Sequence, residues 1–204
     1  MRLIGMLDSP YVRRTAISMH LMDLPFAQEP ISVFRQVDAF AAINPVVKAP
    51  TLVTDDGTVL MESGLILEYL DRLAAPERRL NPSSPGDHAR AQRLIGLALA
   101  VCEKAIQIVY EFELRPADKR HQPWLDRVTG QLQTACSLLD REVDAGDDWL
   151  FGDRPLQADV SAAVAWRFTQ LMVADRVPVD RHPALAALSA RAEALPAFRA
   201  APPV

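Results

Sequence analysis

The chain has 204 residues and a mass of 22.5 kDa; half of its residues are apolar, and 22 basic side chains face 26 acidic ones, a formal net charge of −4. That is enough for one large domain or two small ones with a core that needs no staples, and a charged fraction of 24% with a mean hydropathy of +0.03 argues against wholesale disorder. Charge is spread evenly, 8 basic against 10 acidic in residues 1–80 and 14 against 16 in residues 81–204, so neither part has the basic surplus of a nucleic-acid binder.

The run Leu3 to Leu7 is ended by Asp8, too short for the apolar region of a signal peptide, and the stretch Leu94 to Cys102 is closed by Glu103 and Lys104 before it could span a membrane. Cys102 and Cys136 form no Cys-x-x-Cys pair and fall on the apolar stripes of two helical patterns. Both are expected to be buried, reduced small hydrophobes of a cytoplasmic protein.

In chain order, Leu3–Leu7 reads as a strand, and Ser9-Pro10 opens a helix to about Asp23 with Val12, Ala16 and Met19 on its apolar side. Pro30–Val33 is a weaker strand, followed by a short helix near Val37–Ile43. Residues Pro50–Val53 and Thr58–Met61 flank Asp55-Asp56-Gly57, a strong hairpin signal. A helix then runs from Ser63 through Ile66 and Leu70 to Leu73. The order is βαβαββα. Residues 79–87 carry Pro82, Ser83, Ser84, Pro85 and Gly86, a linker composition. Helical patterns follow at about 88–114, 122–145, 158–173 and 183–195, with breaks at Pro116, Gly146-Asp147-Asp148, Pro178 and Pro196. The expected organisation is an α/β domain over 1–78, a linker over 79–87 and an all-helical domain over 88–204.

Three places could carry chemistry. Ser9 before Pro10 suits a helix N-cap with proline at the first helical position; the same geometry aims a hydroxyl at an anion, such as a thiolate, held at the positive end of the helix. Arg13 and Arg14, one turn on, add positive potential or are simply solvated. In Lys48-Ala49-Pro50, a proline at the start of an internal strand removes a ladder donor, and a cis Ala49-Pro50 bond would leave the Ala49 backbone free to pair with an extended ligand. At Glu62-Ser63, Ser63 is most simply an N-cap, but the helix start with its hydroxyl would also seat a carboxylate, and Glu62 could receive an ammonium group. The four histidines show no metal-ligand spacing, and no nucleotide-binding glycine loop or serine-hydrolase elbow is present. Trp124, Trp149 and Trp166 are expected in the core or at a domain interface.

Taken together, Ser9-Pro10-Tyr11-Val12-Arg13-Arg14, Ile43-Asn44-Pro45-Val46-Val47-Lys48-Ala49-Pro50-Thr51-Leu52, Glu62-Ser63, and Leu150-Phe151-Gly152-Asp153-Arg154-Pro155 through Ala158-Asp159 resemble the cytosolic glutathione S-transferase superfamily over nearly the whole chain. The resemblance implies a thioredoxin-like N-terminal domain and an all-helical C-terminal one. It implies that Ser9 donates to the glutathione sulfur and favours the thiolate, with Val12 at the second thioredoxin-type position, so that dithiol redox chemistry is absent. It further implies that Lys48 reaches the glycyl carboxylate, that Ala49 pairs its backbone with the cysteinyl unit ahead of Pro50, and that Glu62 and Ser63 hold the γ-glutamyl end. Asp159 would be structural, in the folding motif of a core helix. The implied partners are glutathione, a small hydrophobic electrophile held against the helical domain, and a second copy of the chain, with the N-terminal domain of one subunit against the helical domain of the other; no metal is implied.

Several positions depart from the family pattern. Val47 stands in place of a glycine, Ala49 in place of a valine, and Leu156 in place of a Ser or Thr cap. Ala98 and Ala100 lie where a relative could carry a polar residue reaching glutathione. Tyr11, Tyr110 and Trp166 are candidates for the electrophile pocket. Asp8-Ser9-Pro10 lacks the Ser-Ser-Cys pattern of a zeta-type maleylacetoacetate isomerase and the cysteine of an omega-type thioltransferase. The expected activity is a glutathione transferase acting in detoxification; the alternative is a non-catalytic binding or regulatory protein on the same fold.

Overall fold

The computed structural model describes residues 1–143 and 149–203, so the break expected at Gly146-Asp147-Asp148 lies outside the described residues. The chain divides into two compact units, one of Met1–Asn81 together with the C-terminal segment from Ala194, the other of Pro82–Glu193.

In the first unit, β1 (Arg2–Ile4), α1 (Pro10–Leu21), β2 (Ala27–Glu29), α2 (Val37–Ala41), β3 (Thr51–Val53), β4 (Val59–Met61) and α3 (Ser63–Leu73) follow the βαβαββα order. The strands form one sheet in the order β2-β1-β3-β4; β1 and β2 are parallel, and the other pairs are antiparallel. Leu3 stands opposite both Gln28 and Leu52, and Leu52 opposite Leu60. The central strands are buried on both faces, as Leu3 with Ile4 and Leu52 with Thr51 show, and Ile17 and Met19 of α1 and Ile66 and Leu70 of α3 complete the core. This is a thioredoxin-like α/β unit.

The second strand lies three residues before the expected Pro30–Val33. Ala27 N–H donates to Met1 O at 3.0 Å, Gly5 N–H donates to Glu29 O at 3.0 Å, and the Arg2 guanidinium grips the Glu29 carboxylate at 2.6 and 2.9 Å. Pro30 has no N–H to continue the ladder, so the strand stops there despite its apolar sequel. The Asp55-Asp56-Gly57 hairpin forms as expected, with Gly57 at φ +86°. The Thr54 hydroxyl donates to the Asp56 carboxylate, which also accepts from Thr58 N–H and is thereby held below the usual carboxylate range.

Arg13 and Arg14 are not solvated: each is only 2% exposed. Arg13 donates from Nε to Ala201 O at 2.8 Å and lies 5.7 Å from the Phe198 ring centre. Phe198, on α8 (Pro196–Arg199), and Ala201 are themselves buried. These contacts group the C-terminal segment with the first unit, whereas the expected division carried the helical domain to residue 204.

The second unit holds α4 (Pro85–Glu113), α5 (Gln122–Glu142), α6 (Gln157–Met172) and α7 (Pro183–Glu193). Helix α4 begins inside the expected linker: Ser84 Oγ accepts from Asp87 N–H at 3.1 Å and donates to its carboxylate at 2.8 Å, with Pro85 at the first helical position. Cys102 and Cys136 form no disulfide and are buried as expected, and burial, aided by Cys102 and Asp140, pushes the Cys136 thiol up to about 12, which makes it inert. Trp166 is in the core, edge-on to His182 at 5.6 Å. Trp124 is 40% exposed and belongs to no core among the described residues.

The missing hydroxyl at Leu156 removes only half of a reciprocal cap. Asp159, fully buried, still accepts from Leu156 N–H at 2.9 Å, and its other oxygen accepts from Leu150 N–H at 3.0 Å. Burial pushes this carboxyl above the ordinary range, and the two N–H groups pull it back. Asp159→Ala leaves two shielded donors unmet, at about 1–3 kcal/mol for each. We expect the variant to lose about 2–5 kcal/mol in chemical denaturation; a loss below about 1 kcal/mol would show that the folding motif does not depend on this carboxylate.

Candidate active site

The first helix sets the site's geometry. Ser9 is the N-cap of α1 in extended backbone (φ −73°, ψ 123°), and its Oγ accepts from Val12 N–H at 3.5 Å. Capping does not use up the hydroxyl proton. A hydroxyl has two acceptor lone pairs and one proton, so capping through a lone pair leaves the half-buried Ser9 O–H to donate at the positive end of a 12-residue helix.

Gly5, which the sequence reading passed over, joins this helix to the next part of the site. It has φ +135°, and a Cβ there would lie 2.7 Å from Val12 Cγ2 and 3.1 Å from Ala49 Cβ. Gly5 is thus the spacer between the first turn of α1 and the turn before β3, and only a residue without a side chain fits.

The segment 44–51 is fixed by a buried asparagine. Asn44 Nδ2 donates to Thr51 Oγ1 at 2.8 Å, its Oδ1 accepts from Val46 N–H at 3.1 Å, and Thr51 Oγ1 donates to Lys48 O at 2.8 Å. The Ala49-Pro50 bond is cis, the form that the awkward proline suggested. Ala49 precedes the β3 pairs Thr51↔Met61 and Ile4↔Thr51, so its backbone stands outside the ladder. Val47, at the family's glycine position, keeps the glycine conformation at φ +53°. For a β-branched residue this left-handed backbone costs on the order of 1–2 kcal/mol.

At the start of α3 the structure corrects the expected cap. Glu62, not Ser63, is the N-cap, at φ +75°, and its Oε1 accepts from Gly64 N–H at 3.2 Å. Its other oxygen lies 3.4 Å from Lys48 Nζ, and both side chains are about half exposed (46% and 52%). Ser63 is only 1% exposed, and its Oγ accepts from Arg14 at 3.1 Å. Lys48, Glu62 and Ser63 are therefore brought together, Ala49 is brought to Val12 across Gly5, and Ser9 sits three residues before Val12. Asp159 lies in the other unit and is structural. Sequence reasoning missed Gly5, Asn44, Thr51 and the inward course of Arg14. An asparagine two residues before Val46 is the one local signal for the turn; the rest are tertiary contacts.

Of the electrophile-pocket candidates, Trp166 is buried in the helical unit and unavailable, Tyr110 is 44% exposed on a groove that also contains Leu114 and Trp124, and Tyr11 is half-buried on α1. Ala98 is only 1% exposed. Among the described residues, no group of three or more His, Cys, Asp or Glu side chains could hold a metal ion, and no helix is long and apolar enough to cross a membrane.

Residues 3–78 match the N-terminal domain of glutathione S-transferases and residues 122–191 match their C-terminal domain. The chain is 30% identical over 201 residues, 93% of its length and 90% of the relative's, to a maleylacetoacetate isomerase of Pseudomonas aeruginosa. Its fold is similar to a glutathione S-transferase of Methylobacterium radiotolerans in complex with glutathione sulfonate, with a TM-score of 0.89 at 29% identity, covering 98% of this chain and 93% of that one. It is also similar to a glutathione transferase family member of Pseudomonas fluorescens with bound glutathione, with a TM-score of 0.83 at 26% identity, covering 100% and 98%.

The strain at Val47 is testable. Val47→Gly relieves the left-handed backbone at the cost of a more flexible unfolded chain, and a net gain of about 0.5–1 kcal/mol is expected. For a chain of this size that raises the melting temperature by roughly 1–4 °C; a fall in melting temperature would contradict the assignment of strain.

Proposed function

Because the chain belongs to the cytosolic glutathione S-transferase superfamily, we propose that it binds glutathione along the first unit, activates its thiol with Ser9, and joins the whole peptide through its sulfur to a small hydrophobic electrophile. The observation that carries this reading is the meeting of Lys48, Glu62 and the first turn of α3 beside the cis Ala49-Pro50 turn. An acid, a base and a helix N-terminus within one short span suit a zwitterionic peptide.

The two charged arms pair with each other, and an exposed pair of this kind is worth no more than about 1 kcal/mol. A ligand that brings its own ammonium and carboxylate replaces that pair at small cost. Lys48 then takes the glycyl carboxylate, Glu62 the α-ammonium, and the backbone of Ala49 the cysteinyl unit. Ser9 donates its hydroxyl proton to the sulfur. Lowering a thiol from roughly 9 to roughly 7 requires about 2.7 kcal/mol of differential stabilisation, which a charge-assisted hydrogen bond and the end of α1 supply together. The bound thiolate attacks an electrophilic carbon and forms a C–S bond; either a leaving group departs from that carbon with its electron pair, or the conjugated double bond opens and the neighbouring carbanion takes up a proton.

The likeness to a maleylacetoacetate isomerase favours a second reading of the same site. Reversible addition of the thiolate to a conjugated cis double bond, rotation, and expulsion of the thiolate would isomerise the substrate without net conjugation. Both readings use Ser9, Lys48, Ala49, Glu62 and Ser63 identically; accumulation of a glutathione adduct separates them.

With an activated aromatic halide or a conjugated enone as electrophile, Ser9→Ala should lower kcat/KM by about 100-fold and move its acid limb from roughly pH 7 towards 9. Glutathione affinity should change by less than about threefold, since capping contributes little to binding. Equal rates in variant and parent would sink the role of Ser9. Glutathione binding with no turnover on either electrophile class would favour a non-catalytic binding protein.

A further inference from the structure

We infer that Arg14 is a positioning residue for the γ-glutamyl carboxylate, acting through Ser63 from beneath the start of α3; the inference rests on the glutathione reading above. A guanidinium keeps its charge when buried, and a buried arginine is rare enough to need a reason. Arg14 lies on the same helix as Ser9, is 2% exposed, and donates from NH1 to Ser63 Oγ at 3.1 Å. Ser63 is itself 1% exposed, so this bond is shielded from water and its geometry is held. The neighbouring buried cation, Arg13, goes elsewhere, to Ala201 O and the Phe198 ring.

Two consequences follow for the start of α3. With one lone pair taken by Arg14, Ser63 Oγ keeps its own proton as a donor. A carboxylate accepting that proton would sit within about 6 Å of a permanent, buried positive charge. This helix start already takes a carboxylate, because Glu62 Oε1 accepts from Gly64 N–H at 3.2 Å while its other oxygen faces Lys48. When Glu62 turns to an ammonium group, the ligand's own carboxylate succeeds it there, over the charge of Arg14. One arginine thereby ties the helix that carries Ser9 to the helix that seats the other end of the peptide.

The test uses two ligands, glutathione and the analogue in which the γ-glutamyl α-carboxylate is replaced by hydrogen, titrated calorimetrically into the full chain. Arg14→Met and Ser63→Ala should each weaken glutathione by about 10- to 100-fold while changing affinity for the analogue by less than about threefold. The double variant should be no weaker than the weaker single one, since both act through one bond. Arg14→Lys should recover part of the loss by restoring charge without the planar fork. Arg13→Lys, the control for a buried cation on the same helix, should leave the preference for glutathione over the analogue unchanged.

Equal losses for the two ligands, or additive effects of the two substitutions, would overturn the inference. If Arg14→Met fails to fold, Ser63→Ala and Arg14→Lys carry the same comparison, with the same outcomes. A parent chain that binds both ligands equally well would also overturn it while leaving the glutathione site in place; a parent that binds neither would overturn the glutathione reading itself.

Discussion

The candidate site hangs on a close approach in which the chain between β1 and α1 passes so near the turn before β3 that residue 5 can carry no side chain. Gly5 at φ +135° faces Val12 on one side and Ala49 on the other, at distances where any Cβ would collide. The sheet fixes both ends of this approach, since Gly5 N–H is bonded to Glu29 O and Ile4 stands opposite Thr51. The start of α1, with its serine cap, therefore meets the cis Ala49-Pro50 turn as a consequence of backbone geometry, and the chemistry proposed for the site uses that meeting.

Around this contact the charges divide into two kinds. Arg13 and Arg14 are buried and fixed, the first clasping the C-terminal segment and the second reaching the start of α3. Lys48 and Glu62 are half exposed and hold each other only loosely. Rigid cations thus brace the scaffold, while the arms that would grip a zwitterion stay free to exchange partners, which suits binding at low reorganisation cost. The strained backbones, Val47 and Glu62, flank the same span, so among the described residues the left-handed non-glycine conformations lie beside the site and at the Asp23 turn.

Much of this is legible in the residues. Ser9-Pro10 announces a helix start and Asp55-Asp56-Gly57 a hairpin, because each is a local rule of capping or turn chemistry; Lys48-Ala49-Pro50 admits a cis turn as one solution without requiring it. The misreadings share a different cause. Pro30–Val33 looked more strand-like than Ala27–Glu29, but hydrogen bonds to Met1 and Gly5, distant in sequence, chose the earlier segment. Ser63 looked like a cap, but Arg14 turned its hydroxyl inward and Glu62 took the role. For Arg13 and Arg14 the residues leave open added positive potential or simple solvation, because burial of a cation depends on partners such as Ala201, 188 residues away, which no local pattern displays. Ser84-Pro85 carried the same signature as Ser9-Pro10, yet was read as linker because its composition resembled one.

Formation of a glutathione thiolate on the first unit can be measured by calorimetric titration of the parent chain with reduced glutathione at pH 7 in two buffers of different ionisation heat. Saturable binding at one site per chain is expected with release of about half a proton, as a thiol lowered from roughly 9 to roughly 7 requires at that pH. Binding without proton release would contradict thiol activation. Absence of saturable binding up to several millimolar glutathione would contradict the site altogether.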